Sequence, residues 1–330
     1  MNEENSEKSK KLKKKTILIF GVSSFVGSNL ANFFKNEFRV VGTYYKNRTS
    51  IPGILTLRCD ILVKEEVQMF MYTFRPDITI YAAGYTSITG ANEHEELADA
   101  INTGGLFNVT EYCQRYKSQI CYISSGFVFG GEQKSYVEMD IPDSTTTFGK
   151  TKASAEFYLQ KNSLNYLLFR CGNLYGRGIN CLKRNWFEVL QDKLFKGELA
   201  ICDHHIRTGH LDIYYLAMIM KTCFNENISN RLFQVSSSDH MTAYEFAKNY
   251  CEVFGDSLEN ISKGKWKFPI MSSATTNIIG PDYYYELDIS NIENFLNSKL
   301  PTVKESLEFT YSRLDGKKLK GARSDDIKFI

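Results

Sequence analysis

Phe148 and Lys152 stand four positions apart in the run Phe148-Gly149-Lys150-Thr151-Lys152, so on a helix the ring and the ammonium share one face. A tyrosine at the first position would be a proton donor loosened by the cation one turn on, as needed to protonate an oxygen while a hydride reaches its carbon. Phenylalanine keeps the ring and lacks the hydroxyl. Two further features belong with this pair. Ser124-Ser125 closes a strand-like run, and the turn Gly21-Val22-Ser23-Ser24-Phe25-Val26-Gly27 closes an earlier one. Together they are the parts of a nucleotide-dependent redox site whose acid is missing.

The turn follows the apolar run Ile17-Leu18-Ile19-Phe20 and opens a helical pattern. Backbone N–H groups at such a helix start hold a pyrophosphate, and the helix dipole favours its charge. Gly21 permits the tight turn and Gly27 the close packing of helix on strand, with Ser23, Ser24, Phe25 and Val26 between them. An NAD-binding chain often carries an acid at the end of the second strand, near Thr43 here. Lys46 and Arg48 follow instead, and either can pair with a 2′-phosphate, so NADP(H) is expected over NAD(H).

Strand-like and helical runs alternate through the first half of the chain. Strands are expected at Thr16–Phe20, Arg39–Thr43, Ile54–Leu57, Ile78–Ala82, Gln119–Ser124 and Tyr166–Arg170. Helices are expected at Phe25–Asn36, Val63–Phe74, a long stretch Glu93–Arg115, and Phe148–Leu159. This rhythm predicts an α/β fold, a Rossmann-type doubly wound parallel sheet with helices on both faces. After Tyr175 helices are expected to dominate, including Arg184–Phe195, Ile213–Phe224 and one from Ala243 that a Thr242/Glu245 capping box opens. The predicted organisation is a flexible basic tail (1–15), a dinucleotide-binding domain (16–175), a smaller substrate-binding lobe with returns to the sheet (176–313), and a flexible tail (314–330).

With 330 residues, 43% of them hydrophobic, the chain can bury a large core, and 40 basic against 38 acidic residues give no reason to invoke nucleic acid. Lys11 to Lys15 followed by Thr16–Phe20 imitates a signal peptide, but the apolar run is short and a glycine turn follows at once. No stretch approaches the roughly 20 apolar residues of a membrane helix. None of the eight cysteines forms a C-x-x-C pair, which fits a reducing cytoplasm. Asp203-His204-His205 with His210 invites a metal, but neighbouring histidines on a strand face opposite sides, so no metal site is expected. Trp186, Phe187 and Leu190 have the spacing of a packed helix face, and Tyr283-Tyr284-Tyr285 is assigned to the seam between the lobes.

From about residue 16 to 313 the chain resembles the extended short-chain dehydrogenase/reductase superfamily, and within it the dTDP-4-dehydrorhamnose reductase group. The resemblance is carried by the glycine turn, Asp60-Ile61, Arg75-Pro76-Asp77, Ala82-Ala83-Gly84-Tyr85-Thr86, Asn102, Ser124-Ser125-Gly126-Phe127-Val128-Phe129 and Phe148-x-x-x-Lys152. It implies that Asp60 and Ile61 sit at the adenine and that Ala82, Ala83 and Gly84 line the dinucleotide. Ser125 then binds the substrate oxygen, Lys152 holds the nicotinamide ribose, and Asn102 completes a proton relay. Tyr85, Phe127, Asn173 and Arg207 fall on the substrate side, with Arg207 as the grip on a nucleotide diphosphate. A homodimer and a role in surface polysaccharide synthesis are implied on the same ground.

Three positions depart from the family pattern. Ser24 replaces the usual middle glycine, Thr89 and Asn92 stand where acids are common, and Phe148 replaces the catalytic tyrosine. The expected function is therefore reduction of a nucleotide-linked keto-sugar, with the proton coming from Lys152, Ser125, a water, or a displaced tyrosine such as Tyr85 or Tyr136. A nucleotide-binding regulatory protein and a nucleotide-sugar epimerase or dehydratase remain open alternatives.

Overall fold

A computed structural model describes residues 14–132, 135–264 and 282–314. Most of the two expected tails thus lies outside the described residues. The chain begins with β1 (Thr16–Phe20), α1 (Phe25–Phe34), β2 (Arg39–Tyr44), β3 (Leu55–Arg58), α2 (Lys64–Phe74) and β4 (Ile78–Tyr81). There follow α3 (Ile88–Glu93), α4 (Glu95–Asp99), a π-helical turn (Ala100–Gly104), α5 (Gly105–Tyr116), β5 (Gln119–Ser125), α6 (Thr147–Asn162) and β6 (Tyr166–Cys171). The second half runs β7 (Asn173–Tyr175), α7 (Trp186–Phe195), β8 (Ala200–Asp203), β9 (Ile206–Thr208), β10 (His210–Asp212) and α8 (Ile213–Asn225). It ends with β11 (Arg231–Val235), β12 (Met241–Thr242), α9 (Ala243–Phe254), β13 (Ile261–Gly264), β14 (Tyr283–Tyr285), α10 (Ser290–Leu296) and α11 (Val303–Arg313).

Seven strands form one parallel sheet in the order β11-β6-β5-β4-β1-β2-β3. The strands are apolar on both sides because helices cover both faces. Ile17 and Ile19 pack with α1 and α8 residues such as Leu30, Phe34 and Met220, while Leu18 and Phe20 pack with Val67, Phe70 and Val109 of α2 and α5. The strand order reverses between β1 and β4, the place where open α/β sheets bind ligands beyond their carboxyl ends.

The long helical region expected over 93–115 runs unbroken from Glu95 to Tyr116, with one π-helical turn inside it and a break only at His94. α3 precedes that break, and the π-helical turn joins α4 to α5. Tyr81 donates from its hydroxyl to the Ile101 carbonyl, 2.5 Å away, inside that turn. The ring of Tyr81 and the Ile61 side chain lie so close to Gly105 that a side chain there would meet Tyr81 Oη at 2.5 Å.

After Tyr175 helices do carry more of the described residues than strands, as expected. Short strands interleave with them, as β12-β9-β14, β10-β7 and β13-β8. Most run only two to four residues, too short for a period to show in sequence. A separate core of Phe187, Leu190, Leu194, Phe246, Tyr250 and Leu307 ties α7, α9 and α11 together. The Thr242/Glu245 capping box opens α9, and Asn185/Glu188 forms another that starts α7 at Trp186 rather than at Arg184.

Candidate active site

The turn after β1 and the segment after β4 touch at the switch point. Gly21 has φ +92°, and a side chain there would meet the Ala83 nitrogen at 2.5 Å. A side chain at Gly27 would meet the Gly21 carbonyl oxygen at 2.3 Å, so α1 begins directly on the turn. Ser24 has ordinary extended torsions, φ −81° and ψ 161°, and is the N-cap of α1. Its Oγ accepts from the Gly27 N–H at 3.0 Å and donates to the Gly21 carbonyl at 2.8 Å. Serine thus takes over the middle glycine's place without backbone strain. With Gly27 capped, the N–H groups of Phe25 and Val26 are the first-turn donors without an intrahelical acceptor. Ser23 sits half-buried beside them.

Ala82, Ala83 and Gly84 are half-buried along the same cleft, and the Ala82 N–H donates to the Phe20 carbonyl at 2.9 Å. Asp60 and Ile61 are also half-buried, after β3, where Asp60 Oδ1 caps the Leu62 N–H at 3.0 Å. Lys46 and Arg48 are exposed just past β2. Lys46 lies over the Tyr45 ring, and Arg58 approaches the same ring at 5.2 Å.

Gly84, Asn102 and Lys152 meet. From the position of a Gly84 Cβ, Asn102 Oδ1 is 3.2 Å away and Lys152 Nζ 3.8 Å. Asn102, 1% exposed on the π-helical turn, accepts from the Tyr85 N–H at 2.8 Å. Its amide donates to the Tyr85 carbonyl at 3.3 Å and to Thr151 Oγ1 at 3.0 Å. The side chain is therefore spent on fixing the Tyr85 backbone to α6. Lys152 is 7% exposed and donates to the Ile123 carbonyl at 2.9 Å, with its ammonium 4.8 Å above the Tyr122 ring. Burial pulls its pKa down to about 8, against the upward pull of Glu156.

Ser125 ends β5, half-buried, with its Oγ accepting from the Phe127 N–H at 3.2 Å. The loop that follows lies hard against α6, where a side chain at Gly149 would meet the Phe127 carbonyl at 2.2 Å. Phe148 is 6% exposed and packs with Tyr85, Ile88, Phe127, Ile206, Tyr283 and Tyr285. Its ring lies 6.0 Å from Lys152 Nζ. An apolar cluster therefore surrounds the position of the missing phenol. Asn92 Oδ1 accepts from the Thr147 N–H at 2.9 Å, which pins α3 to the start of α6.

Arg207 stands apart from this wall. Ile206 and Tyr283 share the face that carries Phe148, so alternation sends Arg207 to the other side of β9. There its Nε donates to Glu286 at 2.7 Å, beside a groove of about 400 Å³ that His240, Glu245 and Lys248 also line. Asn173 is half-buried at the start of β7, in register with His210 of β10. The histidine pair does not split across a strand as expected: the His204 and His205 rings lie 4.2 Å apart in the β8–β9 loop, and His205 is bonded to Asp282.

Two features escaped the sequence reading. Glu156, one turn past Lys152, is 0% exposed and takes two hydrogen bonds from Arg170, at 3.0 and 2.8 Å. The i to i+4 spacing from Lys152 was a signal that could have found it. The π-helical turn beneath Asn102 left no comparable trace.

The RmlD substrate binding domain family matches residues 15–315. The chain is 24% identical to methionine adenosyltransferase 2 subunit beta of Bos taurus over 244 residues, 72% of either chain. It is 23% identical to dTDP-4-dehydrorhamnose reductase of Aggregatibacter actinomycetemcomitans over 233 residues, 70% of this chain and 76% of that one. Among solved structures it is similar to the dTDP-4-dehydrorhamnose reductase of Bacillus anthracis in complex with NADP, with a TM-score of 0.77, 20% identity, and 91% and 99% of the two chains covered. Among the described residues no helix is long and apolar enough to cross a membrane.

Proposed function

The chain belongs to the RmlD substrate binding domain family, and from that premise we propose that it is an NADP(H)-dependent reductase of a nucleotide-linked keto-sugar. The observation that carries this reading is the meeting of Gly84, Asn102 and Lys152, with the lysine bonded to Ile123 of the strand that ends in Ser125, in a sheet whose order reverses beside the Gly21 turn. The residues fit a dinucleotide. A turn with no room for a side chain and two first-turn N–H groups without an intrahelical acceptor suit a pyrophosphate, and we assign Asp60 and Ile61 to the adenine. Lys46 and Arg48 favour a 2′-phosphate. A bound NADPH supplies the hydride.

This chain supplies the rest. Ser125 holds the substrate oxygen, and Lys152 holds the ribose and the local positive charge. Tyr85 and Phe127 form the wall against the sugar, and the lobe from 176 to 313, with Asn173, takes the nucleotide end. For Arg207 to grip a diphosphate it must leave Glu286, so its assignment requires rearrangement on binding. A homodimer in the cytoplasm completes the reading, and a monomeric mass in solution would reject the first part.

One observation favours a second reading, a regulatory protein that binds nucleotide without turning over. Phe148 is buried among apolar rings, and the chain is similar to a protein named as an adenosyltransferase subunit. The test is to mix the protein with NADPH or NADH and a panel of nucleotide-linked 4-keto sugars, and to follow absorbance of the reduced cofactor. Turnover with NADPH supports the reductase. Cofactor binding without turnover by the native chain supports the regulator, and failure to bind either cofactor rejects both.

A further inference from the structure

We propose that the Lys152 ammonium is the acid that protonates the substrate oxygen in place of the missing phenol, and that Glu156, clamped by Arg170, is the positioning residue that keeps this ammonium charged inside the protein. The inference rests on the reductase reading above.

The hydroxyls around Phe148 are held elsewhere, turned toward α3, or too basic. Tyr136 accepts from the Gly131 N–H at 2.9 Å while stacked on Phe129. Tyr285 donates to the Gly130 carbonyl at 3.3 Å, and burial holds its phenol well above the usual range. Tyr283 is pushed up by burial and then by Asp282 and Glu132. Tyr85 turns toward α3, where a Gly90 Cβ would lie 3.1 Å from its hydroxyl. An alcohol such as Ser125 is a far weaker acid than an ammonium. Among the described residues near Gly84, that leaves Lys152 with a proton to give.

A buried lysine keeps its charge only with help. The ionisable groups facing Lys152 are Tyr122 from β5, Cys171 and Arg170 from β6, and Glu156 from its own helix. Tyr122 and Cys171 are raised by burial and stay neutral at pH 7, which leaves Glu156 as the acidic partner whose carboxylate can support the charge. Burial raises the Glu156 carboxyl, and the Arg170 guanidinium, the Ser124 side chain and Lys152 pull it back. Arg170, 3% exposed, donates from Nε and Nη2 to Glu156 Oε2 and from Nη1 to the Glu138 carbonyl, a clamp that favours the carboxylate form against the upward pull of burial. With its pKa lowered to about 8, Lys152 is cationic at pH 7 yet a far better donor than an ordinary lysine.

The balance is that of a ketone reduction. The carbonyl carbon gains the hydride, the π pair passes to oxygen, and that oxygen takes the proton from Lys152 Nζ. The ketone is reduced, the nicotinamide oxidised, and solvent returns a proton to the neutral amine.

Three measurements on the full chain decide it. Lysine labelled with ¹³C and titrated by NMR, with Lys152→Arg identifying the resonance, should show Lys152 at about 8. The value should fall by about one unit or more in Glu156→Gln. If that variant does not fold because Arg170 is stranded, the double change Glu156→Gln with Arg170→Gln leaves two amides to pair and should lower it in the same sense. An unmoved lysine in the folded variant overturns the role of Glu156. Turnover by the native chain should decline above pH 8 with the NMR midpoint, and a rate that stays flat through the titration overturns the lysine as acid. Lys152→Arg keeps the charge and cannot release its proton, so turnover should fall ~10²–10⁴-fold. Because Lys152 also holds the ribose, the rates are compared at saturating cofactor, and adding Phe148→Tyr should restore the rate. Native-like turnover by Lys152→Arg sinks the proposal. Turnover by Phe148→Tyr alone, beside a silent native chain, sinks the lysine acid and leaves the ligand reading standing. Silence from both, with cofactor bound, sinks the reductase reading and this inference with it.

Discussion

At the scale of the residue, the glycine turn after β1 was legible because its constraints are steric. Gly21 needs a positive φ and sits 2.5 Å, from where its Cβ would be, to the Ala83 nitrogen, so only glycine fits. Gly21→Ala should destabilise the fold by more than ~1 kcal/mol and abolish dinucleotide binding, measured by urea titration and calorimetry. Unchanged binding by the variant would show that the turn does not hold the pyrophosphate. Lys46 and Arg48 carry a different kind of prediction, because both are exposed, Lys46 touching only the surface of the Tyr45 ring. Changing both to alanine should weaken NADPH about tenfold or more and leave NADH nearly unchanged. Equal losses for the two cofactors would remove the 2′-phosphate assignment. What sequence could not reveal is pairing across long separations. Arg207 and Glu286 are brought together by β9 and β14, and nothing in either local segment announces it.

At the scale of the element, the strands of the large sheet were readable as apolar runs, since a parallel strand is buried on both faces. The segment 93–115 read as helical although Asn102-Thr103-Gly104-Gly105 in its middle are weak helix formers. What changes inside it is a shift of hydrogen-bond partner within the Ala100–Gly104 turn, marked in sequence only by Gly104-Gly105, which does not by itself tell a π turn from an α-helix. That turn is held in place by Asn102, whose three hydrogen bonds join the Tyr85 backbone to Thr151. Asn102→Ala would strand these groups, so a loss of about 1–3 kcal/mol is expected, read from urea midpoints. Hydrogen exchange should rise first at the Tyr85 amide. If exchange there is unaltered, the clamp is not what orders the segment.

At the scale of the molecule, stability is linked to pH through His210. Burial among Trp186 and Phe246 lowers its pKa from 6.5 to about 4. The unfolded chain therefore binds a proton there more readily than the folded one. Stability from this group is fully present above pH 6.5 and declines as the pH falls toward about 4. His240, also lowered by burial, adds in the same direction. His210→Phe should flatten the fall in urea midpoint between pH 7 and pH 5, and a variant with the native slope would assign the acid sensitivity elsewhere. The return of the chain to the sheet was legible only in outline, since β11 is five ordinary residues whose partner, β6, lies far back in sequence.

That late return has a consequence for how the protein is made. β6 is complete at Cys171, yet the edge it offers is not covered until Arg231–Val235 has emerged. At roughly 5–20 residues per second a ribosome leaves that edge bare for several seconds. Bare backbone donors and acceptors on an apolar strand are a template for other nascent chains. A chaperone-poor host should therefore yield inclusion bodies, and a chain stopped short of residue 231 should precipitate where the full chain stays dissolved.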